Sequence, residues 1–107
     1  MEYFIVRHDG EFALWGCVVD APLTFGMGEA QLATFVRHFA GENALKKLPE
    51  KIEHAVKPGS AAFDDLVASN RAGQDGRRLS GEELVRYMFV EKVFPPDGAG
   101  TELRRTR

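Results

Sequence analysis

The spacing of apolar residues along the chain changes at about residue 29. Before this point, aromatic and β-branched residues are concentrated in short runs, which is typical of β-strands. These runs predict strands at residues 3–7, 12–19 and 23–25. The dipeptide Asp9-Gly10 separates the first two strands and predicts a two-residue hairpin turn, because both turn positions must tolerate positive φ angles.

After that point the apolar residues recur with the period of a helix. A first helix is predicted from Glu29, and Gly41 is placed to end it. A helical turn is predicted at residues 43–47, a further helix begins near Pro49, and Ser60 caps the next one. The positions expected to face inward are Leu32, Phe35, Val36, Phe39, Ile52, Ala55, Val56, Phe63, Leu66 and Val67.

The last predicted helix covers residues 81–91 and follows a polar stretch. Residues 70–78 show no apolar periodicity and predict an exposed loop. Ser80 and Glu83 then match a capping box, in which each residue bonds to the other's backbone N–H. The apolar side of this helix is expected to bury Leu84, Val85, Met88 and Phe89.

Strands that precede helices, without alternating β–α units, indicate an α+β fold. We expect an N-terminal antiparallel β-hairpin or small sheet packed against three to four short helices. Residues 1–94 are predicted to form a single domain, and residues 95–107 an extended C-terminal tail. A chain of 107 residues has the usual size of one domain.

Both faces of the predicted hairpin are apolar. A two-residue turn places His8 opposite Glu11, so that one face holds Phe4, Val6, Ala13, Trp15, Cys17 and Val19. The other face holds Tyr3, Ile5, Phe12, Leu14 and Val18. Three short helices are expected to cover only one face, and the other would then be an apolar patch typical of an interface. Helices on both faces, a loop over the second face, or a hairpin bent over one core are the alternatives. The residues expected to bind a protein partner or a second copy are Tyr3, Ile5, Phe12 and Leu14.

The run Arg7-His8-Asp9-Gly10 resembles the Arg-His-Gly sequence that opens the active site of histidine phosphatases. The resemblance implies a small histidine-dependent enzyme that uses His8. Asp9 interrupts the motif, however, and the residues after Gly10 continue as a strand where that family has a loop and a helix. A hairpin turn accounts for Asp9-Gly10, so the enzyme is the least favoured of three hypotheses.

Other candidate chemistry is sparse, and the chain is not expected to be an enzyme. No residues combine a nucleophile, a base and an orienting group. Cys17 is expected to be a buried structural cysteine within a strand. His38 and His54 lack the spacing of metal ligands, and the Gly-rich residues 26–28 lack the surroundings of a phosphate-binding loop. No metal and no cofactor are therefore predicted.

Two groups of arginines are candidates for binding carboxylates or phosphates. The first group flanks a glycine-rich loop and consists of Arg71, Arg77 and Arg78. The second group lies in the tail and consists of Arg104, Arg105 and Arg107. Leu103 in the same tail is expected to insert into an apolar pocket, because an ordered tail needs an anchor that offsets its lost entropy.

The charge, hydropathy and cysteine content of the chain bear on its partners and its location. The net charge is -2, which does not favour binding to nucleic acid or to an anionic membrane. No apolar run approaches the ~20 residues that span a bilayer, and the N-terminus does not resemble a signal peptide. One cysteine excludes an intramolecular disulfide, so a cytoplasmic location is expected.

The favoured hypothesis is a non-catalytic protein-interaction protein, such as a small subunit, adaptor or inhibitor. It would act through the apolar sheet face and the basic C-terminal arm, and phage structural or inhibitory proteins are one class of chains of this size. The second hypothesis is a nucleic-acid or polyanion-binding module that uses residues 71–78 and the tail arginines. A steep salt dependence of binding would distinguish the second hypothesis from the first.

Overall fold

A tight β-hairpin opens the computed structural model, which describes residues 3–93. β1 (Tyr3–His8) pairs antiparallel with β2 (Glu11–Gly16), and Asp9 and Gly10 between them have φ angles of 50° and 77°. His8 lies opposite Glu11, the register that the sequence predicts. The two-residue hairpin is therefore confirmed.

The third strand begins earlier than the sequence predicts. β2 ends at Gly16, a turn occupies residues 17–20, and β3 (Ala21–Pro22) pairs with the end of β2. The extension of the second strand to residue 19 and the strand at residues 23–25 are both wrong. Pro22 suits this position, because an edge strand leaves the missing N–H on its open side.

A side chain interrupts the ladder beyond β3. The Thr24 hydroxyl accepts the N–H of Leu14 at 2.9 Å, where a strand would supply a backbone carbonyl. Pairing resumes at Met27, whose N–H and C=O exchange two 2.8 Å hydrogen bonds with Phe12. The chain therefore follows β2 from residue 21 to residue 27 without forming one continuous strand.

Helices follow the sheet, which confirms the α+β fold. They are α1 (Glu29–Ala40), α2 (Glu42–Lys46), α3 (Leu48–Glu53), α4 (Ala61–Ser69), a 3₁₀ turn (Gln74–Gly76) and α5 (Gly81–Val85). α5 continues without a break into a π-helical segment, Arg86–Glu91. Lys92 then ends the helix in the left-handed region, with a φ angle of 55°.

Helices cover both faces of the hairpin, so the expectation of an uncovered face is wrong. Tyr3, Ile5, Phe12 and Leu14 are 5%, 3%, 6% and 0% exposed and pack with Leu32, Val36 and Leu48 from α1 and α3. The opposite face holds Val6, Ala13 and Trp15, which pack with Phe63, Leu66, Leu84, Met88 and Phe89 from α4, α5 and the π-helical segment. Burial of an apolar face lowers the free energy of the fold, and here each of the two faces is covered by its own group of helices.

The free edge of β1 is partly paired by the segment after α3. Val56 donates its N–H to the Ile5 carbonyl and accepts the Arg7 N–H, both at 2.8 Å. α3 therefore ends at Glu53, earlier than the predicted helix, whose inward side was expected to include Val56. Pairing of this kind removes unbonded main-chain groups from a sheet edge.

The predicted exposed loop at residues 70–78 is anchored from inside. Asn70 is 3% exposed, and its side-chain amide donates to the carbonyls of Val67 and Leu79 at 2.6 and 2.9 Å. Its side-chain oxygen accepts the N–H of Leu79 at 2.9 Å. Ala72 and Leu79 are buried beside it, so only part of the loop faces solvent.

Burial in the last helix follows the predicted apolar side closely. Leu84, Met88 and Phe89 are buried, and Val85 is half-buried against the same core. Within residues 3–93, no helix has the length and apolar character needed to cross a membrane. The predicted boundary between domain and tail at residues 94 and 95 lies outside the described residues.

Candidate docking groove

An open groove of about 700 Å³ lies between the first turns of α4 and α5. α4 contributes Phe63, Asp64 and Val67, and the chain before it contributes Pro58 and Gly59. The facing wall comes from α5 and the π-helical segment. The groove therefore lies where two helices begin side by side.

Hydroxyl caps fix both helix starts. The Ser60 hydroxyl accepts the N–H of Phe63 at 3.2 Å at the start of α4. At the start of α5, the Ser80 hydroxyl accepts the N–H of Glu83 at 3.1 Å, and the Glu83 carboxylate accepts the N–H of Ser80 at 3.0 Å. The predicted capping box is confirmed, and Ser60 is confirmed as a cap.

A glycine lets the two helices approach closely. A Cβ atom at Gly81 would lie 3.2 Å from the Phe63 ring and 3.4 Å from a methyl of Val67. A larger side chain there would have to displace one of these residues. Gly81 therefore sets the distance between the walls of the groove.

The floor of the groove is apolar. Phe63 is 4% exposed, and Val67 and Val85 are half-buried against the same core. Val90 is 70% exposed at the end of the groove nearest the end of the helix. Apolar surface is therefore left accessible beside the core.

The rim is acidic at the end where the helices begin. Asp64, Glu82 and Glu83 line it, and each lies in the first turn or just beyond the first turn of its helix. The Ser80 N–H, and after it the Ser80 hydroxyl, hold the pKa of Glu83 below its ordinary value. Asp64 and Glu82 make no ion pair with another described residue.

The one cation lining the described groove is already paired. The Arg86 guanidinium lies 2.9 Å from the Glu91 carboxylate and donates to the Tyr87 hydroxyl at 3.4 Å. It sits on the helical wall between Glu82 and Val90. The charge of Arg86 is thus largely balanced within the same helix.

The three loop arginines do not point to one place. The Arg71 guanidinium lies against Gly76, and Arg78 donates to the Ala68 carbonyl at 3.0 Å. Arg77 is close enough to Glu83 to lower the pKa of that carboxyl, as a minor contribution. The structure therefore brings Arg77 toward the groove and directs Arg71 and Arg78 to other neighbours.

The tail residues fall in a part of the chain that is not described. Leu103, Arg104, Arg105 and Arg107 all lie outside residues 3–93. Their predicted roles as an apolar anchor and as ligands for carboxylates or phosphates stay predictions.

The three histidines and Cys17 do not form a common site among the described residues. The His8 ring packs on Phe89 with centroids 5.3 Å apart, and its Nε2 lies 3.6 Å from the Asp9 carboxylate. His38 and His54 are exposed, and Cys17 is half-buried in the turn after β2, so its prediction as a buried strand residue is wrong. Residues 3–93 contain no cluster of three His, Cys, Asp or Glu side chains suited to a metal ion.

A second, more apolar groove of about 590 Å³ lies on the other side of the sheet. It runs between the irregular stretch after β3 and α1, and it is lined by Leu23, Met27 and Phe35. Lys92 lies at its rim and binds Glu11 at 2.8 Å. Lys92 is the one charged side chain among the described residues that line this groove, and Glu11 balances it.

No pattern in the sequence predicts the groove between α4 and α5. Asp64, Glu82 and Glu83 were visible only as acids suited to helix starts. Val90 could have indicated an accessible apolar site from the sequence. It is an apolar residue on the outer side of the last helix, whose inner side already has its apolar residues. The contact of α4 with α5 depends on how loop 70–80 folds, which no local pattern gives.

Comparison with known proteins finds no relative of this chain. The chain matches no protein-family model, and no curated protein or solved structure shows significant similarity to it.

Proposed function

We propose that the chain is a non-catalytic protein-interaction protein whose groove between α4 and α5 binds an apolar, basic segment of a partner. The observation that carries this proposal is the pairing of an apolar floor with an acidic rim in one groove. Because the sheet residues that the sequence suggested for this role are buried, we assign it to the groove residues Val67, Val85 and Val90.

The floor supplies the apolar part of the interaction. Val90 exposes 70% of its surface next to half-buried Val67 and Val85. Burying one leucine-sized side chain from a partner contributes roughly 1.5–3 kcal/mol. Burial of Val90 by the same contact adds to that gain.

The rim supplies the charge. Two helix starts contribute about +0.5 elementary charge each, which three carboxylates outweigh. Because Glu91 balances Arg86, the groove remains net negative. An arginine or lysine beside an apolar residue fits this charge, whereas an acidic segment is repelled.

The role includes a cytoplasmic small subunit, adaptor or inhibitor, with self-association as one form of the interaction. The location rests on the single cysteine of the chain. The basic C-terminal arm is a second binding element in this proposal.

A synthetic decapeptide that alternates leucine and arginine tests the proposal by NMR titration of the full chain. We expect amide shifts centred on Gly81, Glu82 and Arg86. The variant Asp64→Asn/Glu82→Gln should bind several-fold more weakly. Glu50→Gln/Glu53→Gln, which removes two exposed charges from α3, is the matched control and should bind like the wild type.

Two results would count against the proposal. The first is binding that both double variants weaken equally, which would indicate attraction to net charge alone. The second is that the chain does not bind the peptide but binds a single-stranded oligonucleotide through residues 71–78. This result would favour the polyanion hypothesis.

A further inference from the structure

We infer that the groove between α4 and α5 is occupied by residues 101–107 of the same molecule until a partner displaces them. This inference rests on the proposed function of the groove. The tail segment would then regulate binding of the partner.

The segment has the composition that the groove accepts. It carries Leu103 next to Arg104 and Arg105, with Arg107 two positions further on. Leucine suits the apolar surface formed by Val67, Val85 and Val90, and arginines suit the acidic rim. Among residues 94–107, no other aliphatic residue of leucine size has basic neighbours on one side.

The length of the intervening chain permits the contact. The helix from Gly81 to Glu91 runs along the groove, so Glu82 and Lys92 are separated by at most about 15 Å, given the ~1.5 Å rise per residue of an α-helix. Ten residues from Val93 to Leu103 span at most about 33–36 Å. The segment can therefore reach the acidic end from the point where the helix ends.

Tethering favours the same molecule over a second copy. A segment joined by a short linker reaches a local concentration on the order of millimolar. A second copy competes only at comparable protein concentrations. An outside segment then binds only the fraction of molecules whose groove is open, and its apparent affinity falls by that fraction.

The test measures the fluorescence anisotropy of a fluorescein-labelled peptide of residues 98–107 as the 107-residue chain is added. We expect Arg104→Gln/Arg105→Gln to bind the peptide about tenfold more tightly than the wild type, because its groove is open. Lys46→Gln/Lys47→Gln removes two charges from exposed lysines and should bind like the wild type. Adding Asp64→Asn/Glu82→Gln to the tail variant should remove most of the gain.

Three results would overturn the inference, and they separate it from the proposed function. If the wild type and the tail variant bind the peptide with equal, measurable affinity, the groove of the wild type is open. The inference is then wrong, while the proposed function stands. Absence of binding to any variant overturns both. The third result is that the wild type is a dimer and that Arg104→Gln/Arg105→Gln converts it to a monomer. The segment would then bind the groove of a second copy, and the contact within one molecule would be wrong.

Discussion

Aspartate occupies three of the four non-glycine positions that have positive φ angles within residues 3–93. These are Asp9, Asp20 and Asp75, with φ angles of 50°, 53° and 57°. A short polar side chain tolerates this region because it can bond to nearby backbone. Each of these residues reverses the chain, so single residues determine where β1, β2 and the loop after α4 turn.

At the residue scale, the hairpin turn depends on Gly10. We expect Gly10→Val to destabilise the fold by about 1–2 kcal/mol, because a β-branched residue resists its φ angle of 77°. Space is not the cause, since nothing lies within 4 Å of an added Cβ. Gly10→Asn is the matched control and should lose less stability in urea unfolding. Equal losses in both variants would contradict the conformational explanation.

Tyr3 buries a hydroxyl that finds no hydrogen-bond partner among residues 3–93. Tyr3→Phe should therefore keep or raise stability at neutral pH, since an unbonded buried polar group costs about 1–3 kcal/mol. A drop of more than about 1 kcal/mol would reveal a hydrogen bond that the described residues do not supply.

The same residue predicts a pH dependence. Burial raises the pKa of Tyr3 above its ordinary value of 10.0. The unfolded chain then releases the phenol proton first, so stability is intact below pH 10 and falls as the pH rises through the folded-state pKa. Tyr3→Phe should flatten this alkaline decline in thermal unfolding scans. An unchanged slope would contradict the assignment to Tyr3.

At the scale of elements, local signals and long-range pairing differ in how well the sequence shows them. The Asp9-Gly10 turn, the Ser80 capping box and the apolar side of the last helix depend on residues within one turn of each other, and all three were predicted correctly. The position of β3 and the pairing of Val56 with β1 depend on distant residues and were missed. The two apolar hairpin faces were recognised, but which helices cover them was not.

The last helix gives a test of packing at this scale. We expect Phe89→Ala to cost ~3–5 kcal/mol, because Phe89 packs in the core below the sheet. Val90→Ala changes the next residue, which is 70% exposed, and should change stability by less than about 0.5 kcal/mol. Chemical denaturation of both variants measures the contrast. A cost below ~1 kcal/mol for Phe89 would mean that the helix is turned the other way.

At the scale of the whole molecule, the sheet lies in the core and two helix starts lie beside an open groove. Helices bury most of both hairpin faces, and large apolar side chains stay accessible at Val90 in the groove and at Phe4 and Val18 elsewhere. The groove between α4 and α5 combines the exposed Val90 with carboxylates at two capped helix starts, and the Ser80 cap holds the Glu83 carboxylate directly. Caps and close helix approach therefore stabilise the fold and shape the groove together.

The most direct test of the groove is an exchange of charge. The wild-type chain of 107 residues and its Asp64→Lys/Glu82→Lys variant are each titrated by calorimetry with two synthetic decapeptides. One peptide alternates leucine with arginine, and the other alternates leucine with glutamate. The wild type should prefer the arginine peptide and the variant the glutamate peptide, with a reversal on the order of tenfold in relative affinity. The same preference in both proteins would contradict the proposal that the groove between α4 and α5 is the docking site.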